Sequence, residues 1–365
     1  MLKLLIADDS ALMRKYLGDI FRDEGDFEVC VARNGAEALA LANSFAPDVI
    51  TLDVNMPEMD GITCLSRIMV ECPKPVVMVS SLTSEGAEVT FQALGLGAVD
   101  FIAKPDGTVS LHIDKIRGAL VAKVRGAAKA RLRHSRGLLE RVRHSANVAN
   151  HQTVRSVPSR LAGVARKPVI GAASQVDGVV LIGVSTGGPG AIETILPRLP
   201  GDFPWPIVIA QHMPESFTGV FARRINDLSK LEVIEVTRPT PLCAGVAYIG
   251  RGDADLLIGN RAGKLTAIPM PASPLHHWHP SVERMVVSAL DHVAPEQLLG
   301  VMLTGMGDDG AAAMAELRSR GGRTIAESEE TAIVWGMPGE LVKCGGASLV
   351  LPIERIADHL RRWTN

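Results

Sequence analysis

Polar residues at three places far apart in the chain each sit just past an apolar run that reads as a buried strand. Ser185 follows "VVLIGV" in the stretch "LIGVSTGGPG", His212 follows "PIVIA" in "PIVIAQHMPESF", and Asp308 and Asp309 come after "LLGVML" in "LLGVMLTGMGDDGAAAM". A hydroxyl, an imidazole and a carboxylate are the groups of nucleophilic acyl transfer: the base takes the hydroxyl proton and the acid orients the base. "GVSTG" has the G-x-S-x-G spacing of a sharp strand-to-helix turn that exposes a serine. That spacing alone is weak, because glycine-rich turns also cradle phosphate. Here, though, the P-loop lysine and spacing are missing, and Ser185 stands where a G-x-G-x-x-G fingerprint needs its second glycine. The nucleophile reading is therefore the stronger. Its chain order, Ser…His…Asp, differs from the Ser…Asp…His of α/β-hydrolases.

A second set occupies the N-terminal third. Asp8 and Asp9 follow the run "LKLLIA", Asp53 follows "VITL", Ser80 follows "VVMV", and Lys104 follows "DFIA" just before Pro105. Carboxylates gathered at one sheet edge cannot all stay ionised without a cation, and hard oxygen ligands suit Mg²⁺. With a hydroxyl and an ammonium at the same edge, the set suits an aspartate that accepts a phosphoryl group. A lone Asp after a strand is more often a helix cap. Five such residues, each in register with its own strand, are not accounted for that way.

The elements that must position these groups alternate. Over the first 120 residues or so, "LKLLIAD", "EVCVA", "DVITLDV", "PVVMVS" and "DFIAK" are separated by helix-length segments, which predicts a parallel sheet covered on both faces. A helical pattern follows from about Thr108 to Ala130, with Ile113, Ile116, Leu120 and Val124 on one face. Beyond Arg131 an Arg-rich segment with almost no acids and no apolar period reads as a solvated basic linker, with docking of an acidic partner as its sharper rival. From Val176 the alternation resumes: "VVLIGVS", "PIVIAQH", "EVIEV", "QLLGVMLTG", "TIAES" and "SLVLP". The short runs "GVAYIG", "DLLIG" and "KLTAIP" predict an antiparallel hairpin inserted in it, and "IERIADHLRRW" a closing amphipathic helix. The fold class expected is α/β, with two doubly wound parallel-sheet domains at 1–122 and 176–365 and a helical then basic linker at 123–175. The first domain is expected to be flavodoxin-like, the second Rossmann-like.

The bulk numbers narrow the classes of function. A chain of 365 residues suits about two domains, and a net charge of −2 argues against a dedicated nucleic-acid or membrane-surface protein. No apolar stretch reaches the length of a bilayer span, and Met1 leads straight into a strand and not a signal peptide. Five cysteines without a CxxC pair point to reduced thiols and a cytoplasmic protein.

Residues 1–122 resemble a response-regulator receiver domain, through "ADDS", "LDVNMPEMDG", "VSS" and "AKP". The resemblance implies that Asp53 is the phosphorylation site. It further implies that Asp8, Asp9, Asp53 and the Asn55 carbonyl hold Mg²⁺, and that Ser80, Lys104 and Phe101 take the switch positions. "GVSTGGP", "QHMP" and "LTGMGDDG" closely resemble the chemotaxis protein-glutamate methylesterase family, which joins a receiver to this catalytic domain through a variable linker. Carried over, Ser185 is the nucleophile, His212 the base and Asp309 the orienting acid, although the family often has Asn where this chain has Asp308. Met306 would supply an oxyanion-binding N–H and Thr186 would line the site. "HHWHPSVE" matches a family segment beside the crevice, and its histidines lack the further soft ligand that zinc would want.

The implied function is phosphorylation-activated hydrolysis of glutamate γ-methyl esters on methyl-accepting chemotaxis receptors, with glutamine deamidation as a second activity. A histidine kinase would be the phosphodonor, Mg²⁺ would serve the receiver alone, and the ester chemistry would need no cofactor. Two rival readings are a receiver-controlled small-ester serine hydrolase and a receiver-linked binding domain without catalysis. Control is expected to come from the unphosphorylated receiver packing over the crevice mouth.

Overall fold

The computed structural model describes residues 1–81, 83–104, 113–131 and 176–364. Pro105 and residues 132–175 of the expected linker lie outside the described residues.

The N-terminal part runs β1 (Leu2–Ala7), α1 (Ala11–Asp23), β2 (Phe27–Ala32), α2 (Gly35–Ser44), β3 (Val49–Asp53), α3 (Gly61–Glu71), β4 (Val76–Ser80), α4 (Ser84–Gly95), β5 (Asp100–Ala103) and α5 (Ile113–Ala128). Polar residues start the helices: Ser10, Asn34, Asp60 and Thr83 each cap one by accepting a backbone N–H two or three residues into it. The five strands pair in parallel in the order β2-β1-β3-β4-β5. The order reverses between β1 and β3, so Asp8, Asp9 and Asp53 meet at a switch point, where such sheets bind ligands. Helix α5 continues past the boundary expected at 122, because Val124 and Ala127 are still buried against the first sheet.

The second part runs β6 (Val179–Val184), α6 (Gly188–Ile195), β7 (Ile207–Gln211), α7 (Glu215–Leu228), β8 (Glu232–Val236), β9 (Thr240–Pro241), β10 (Val246–Gly250), β11 (Ala254–Arg261) and β12 (Lys264–Pro271). It continues with α8 (Val282–Leu290), β13 (Leu298–Met302), α9 (Ala311–Ser319), β14 (Arg323–Glu327), α10 (Met337–Lys343), β15 (Leu349–Leu351) and α11 (Ile353–Trp363). Seven strands form a wholly parallel sheet in the order β15-β14-β13-β6-β7-β10-β8. Its central strands, β6, β7 and β13, are buried along their whole length, as strands covered on both faces must be.

One expectation fails. "GVAYIG" was predicted to belong to the inserted hairpin, but β10 lies in the main sheet, parallel to both β7 and β8. Ala247, Tyr248 and Ile249 are buried, so the run is a two-sided core strand, and its length alone does not tell it from a hairpin arm. The hairpin that does form is β11–β12, turned at Ala262–Gly263 with positive φ at both residues, and β9 adds a third antiparallel strand.

The sheet order places the chemistry. From β6 the chain builds outward through β7, then crosses back to β13 on the other side of β6. The ends of β7, β6 and β13 are thus three neighbouring openings on one edge, at the reversal point. The two parts also pack on each other. Phe91 of α4 and Phe101 of β5 meet Phe217 and Phe221 of α7, with Phe101 and Phe217 centroids 4.3 Å apart.

Candidate active site

The turn after β6 is tight for stated reasons. The Ser185 N–H donates to the Thr304 carbonyl (3.0 Å), while the Ser185 carbonyl accepts the Gly188 N–H (2.8 Å) and the Gln211 side-chain amide (3.0 Å). Gly187 has φ of 78°, in the left-handed region glycine tolerates without cost. A Cβ on Gly188 would sit 2.0 Å from Gln211 Oε1. Gln211 therefore ties the serine turn to the end of the neighbouring strand, since the same amide also donates to the His212 carbonyl. His212 itself donates its backbone N–H to Val184, the residue before Ser185.

Asp309 accepts the imidazole: His212 Nε2 and Asp309 Oδ2 are 2.8 Å apart, both side chains largely buried. The carboxylate also takes Val282 N–H (2.7 Å), Glu283 N–H (3.1 Å) and the Ser281 hydroxyl (3.0 Å), at the N-terminus of α8. Burial pushes the Asp309 carboxyl up, but the bond to His212, its charge and the helix N–H groups outweigh burial and hold it below the usual carboxylate range. Asp308, its neighbour, is exposed. The second imidazole nitrogen, Nδ1, is buried without a hydrogen-bond partner among the described residues, and no hydrogen bond joins His212 to Ser185.

Further residues complete the surroundings. The Trp278 ring stacks on His212, with centroids 5.6 Å apart and planes 12° from parallel. Gly305 packs so closely that a Cβ there would lie 2.8 Å from Ser185 Cβ. The Met306 N–H has no acceptor among the described residues, and the Met306 side chain lies against Gly126 of α5. Thr186 follows Ser185 directly, and its hydroxyl donates to Asp100 Oδ2 at 2.7 Å. Asp100 also takes Lys123 Nζ (3.0 Å) and the Phe101 N–H (2.7 Å). Ser185 is 6% exposed and His212 5% exposed, with the N-terminal part packed alongside.

At the other switch point, single oxygens of Asp8, Asp9 and Asp53 lie within 4.8 Å of one another. Lys104 Nζ pairs with Asp8 (3.0 Å) and Asp53 (2.7 Å), yet neither buried oxygen accepts a hydrogen bond of good geometry. Burial pushes the Asp53 carboxyl up to about 6; Lys104 works against the rise and the Asp8 charge adds to it. Oxygens so crowded and poorly satisfied fit a hard divalent cation. Ser80 is buried at the end of β4 and donates to the Gly86 carbonyl (3.1 Å), the Asn55 N–H lies 3.4 Å from Asp53, and Phe101 is buried in the contact with α7.

Two family models match the chain: the response regulator receiver domain over residues 4–114, and CheB methylesterase over residues 180–360. The chain is 59% identical over 363 residues to protein-glutamate methylesterase/protein-glutamine glutaminase 3 of Rhodospirillum rubrum, spanning 100% of this chain and 96% of that one. Enzyme 2 of the same name from Rhodopseudomonas palustris is 54% identical over 365 residues, with 100% and 99% of the two chains covered. That from Carboxydothermus hydrogenoformans is 47% identical over 364 residues, with 98% of each covered. With a receiver and a methylesterase domain in that order, matched end to end, the chain belongs to the protein-glutamate methylesterase/protein-glutamine glutaminase family.

Proposed function

We propose that Ser185, His212 and Asp309 hydrolyse glutamate γ-methyl esters on methyl-accepting chemotaxis receptors, and deamidate receptor glutamines by the same route. The observation that carries the reading is the His212–Asp309 bond beside the Ser185 turn, at the edge where β7, β6 and β13 end. Asp309 holds the proton on Nε2, which leaves Nδ1 as the base. Nδ1 takes the Ser185 proton as Oγ attacks the γ-carbonyl. The Met306 N–H binds the oxyanion, a donor worth about 3–4 kcal/mol at such positions. The Oγ–carbon bond is kept and the carbon–methoxy bond breaks, the leaving oxygen taking the proton from Nδ1. Water, deprotonated by Nδ1, then releases the carboxylic acid and restores Ser185.

Control belongs to the receiver. Asp8, Asp9, Asp53 and the Asn55 carbonyl would hold Mg²⁺, which when bound neutralises phosphoryl oxygens. Asp53 would take the phosphoryl group from a histidine kinase, with Lys104 and Ser80 on its oxygens. In the unphosphorylated form, Asp100 holds Thr186 and Gly126 abuts Met306, so the receiver face covers the ester site. We include in this proposal residues 1–131 as the receiver unit and 176–365 as the catalytic unit. No described helix is long and apolar enough to cross a membrane. All five cysteines are free, which supports a cytoplasmic setting.

The test is methanol release from methyl-labelled receptor membranes. Wild type releases methanol and Ser185→Ala releases none above background; equal release by the two overturns the reading. A free small ester hydrolysed as fast as receptor would favour the small-ester hydrolase instead.

A further inference from the structure

Asp255 lies on β11, with its side chain fully buried. It belongs to none of the chemistry described above, yet every lone pair it offers is used. Oδ1 accepts the His279 imidazole Nδ1 (2.9 Å) and the Ser281 N–H (2.9 Å). Oδ2 accepts the Ser273 N–H (2.9 Å) and the Arg284 guanidinium. Burial pushes this carboxyl up, and those donors more than reverse it, so it stays ionised at neutral pH.

The partners share one feature. Ser273 begins the connection between β12 and α8, His279 and Ser281 end it, and Arg284 sits in the first turn of α8. One carboxylate thus fastens both ends of a single loop. From the far end of that loop, Ser281 donates its hydroxyl to Asp309 and caps α8, whose first two N–H groups also go to Asp309. From its middle, Trp278 lies flat on the His212 ring, and its indole N–H edge is near the Gly307 turn.

We propose that residues 273–281 form a strap, clamped by Asp255, that sets the His212–Asp309 pair by seating Trp278 on the imidazole and Ser281 on the carboxylate. This rests on the esterase reading above. Asp255 is a positioning residue: it acts through the strap. Trp278 acts on the base itself. An aromatic face stabilises a cation above it, so the stack favours the imidazolium that forms as Ser185 attacks, and its flat contact fixes the ring plane. Both effects fall on the chemical step and leave receptor binding alone.

The experiment uses the full chain and methyl-labelled receptor membranes. Trp278→Ala lowers kcat by about tenfold with KM nearly unchanged, and Trp278→Phe recovers most of it because a ring is restored. Asp255→Ala, checked for folding by circular dichroism, loses or broadens the downfield proton NMR line of the His212–Asp309 bond and lowers kcat. Should Asp255→Ala fail to fold, the tryptophan variants still decide, since they leave the buried carboxylate intact. Wild-type kcat in Trp278→Ala, a loss confined to KM, or an unchanged line and rate in folded Asp255→Ala overturns the proposal. Ser185→Ala run alongside separates the layers. If it stays active the esterase reading falls; if it is inactive while Trp278→Ala is unimpaired, only the strap falls.

Discussion

Asp309 accepts four hydrogen bonds, from His212, Ser281 and the N–H groups of Val282 and Glu283, and those from His212 and the two N–H groups overcome the burial that would protonate it. The same bonds carry a consequence for stability. A carboxyl whose folded pKa lies below its unfolded value, about 3.9, stabilises the fold fully above that value. The contribution is lost as pH falls through the lower folded value, because the unfolded chain binds the proton first. Asp309→Asn should therefore show a shallower fall of Tm between about pH 5 and pH 3 than wild type, measured by thermal denaturation across that range. Its kcat/KM should drop on the order of 10³–10⁴-fold, since an amide holds the imidazole in the wrong tautomer. An unchanged acid limb of stability would mean the carboxyl is not held ionised. Ser185, His212 and Asp309 were readable in sequence because each lies in the turn that follows an apolar strand run. The segment that holds Trp278, "HHWHPSVE", was placed beside the crevice by resemblance, but the roles of Asp255, Trp278 and Gln211 were not readable, because they come from what these residues touch: a loop's two ends, an imidazole face, a serine carbonyl. Thr186 was named from the motif it shares with Ser185, but its hydroxyl's partner, Asp100, was not readable from sequence.

The elements succeed by where they end. The turn after β13 runs past the serine turn with no room to spare, and Gly305 is the residue that permits it. An added Cβ would lie 2.4 Å from Met337 Sδ and 2.8 Å from Ser185 Cβ. Gly305→Ala should cost about 1–3 kcal/mol of stability, as overpacking does, and should displace Ser185 enough to lose most activity. Denaturant unfolding and the methanol assay measure the two effects; full activity with wild-type stability would show that the turn has slack. Parallel strands were easy to read where turns and helices separated them, as at β6, β7 and β13. β10 was misread because a five-residue apolar run carries no periodicity that separates a central strand from a hairpin arm. Its neighbours in the sheet, β7 and β8, decide the matter, and pairing of that kind is non-local.

At the scale of the whole molecule, α4, β5 and α5 of the first part pack on α7 and on the turns after β6 and β13 of the second. Phe91 and Phe101 interlock with Phe217 and Phe221, Asp100 holds Thr186, and Arg131 pairs with Glu329 across the outer edge (2.7 Å). Phe101 directly follows Asp100 and lies on the strand that leads to Lys104, so a phosphoryl group on Asp53, displacing the carboxylate that Lys104 already pairs with, would disturb the residues that hold Thr186. Sequence could supply both partners of this surface but not their contact, since the aromatic residues lie more than a hundred positions apart. The measurement that tests the account most directly is methanol release by full-length protein with Mg²⁺, before and after a small phosphodonor, for wild type, Asp53→Ala and Asp100→Ala. The account predicts a rise of about tenfold or more in wild type, no response in Asp53→Ala, and a raised unstimulated rate in Asp100→Ala. Wild type running equally fast with and without the phosphodonor, or Asp53→Ala responding to it, would contradict it.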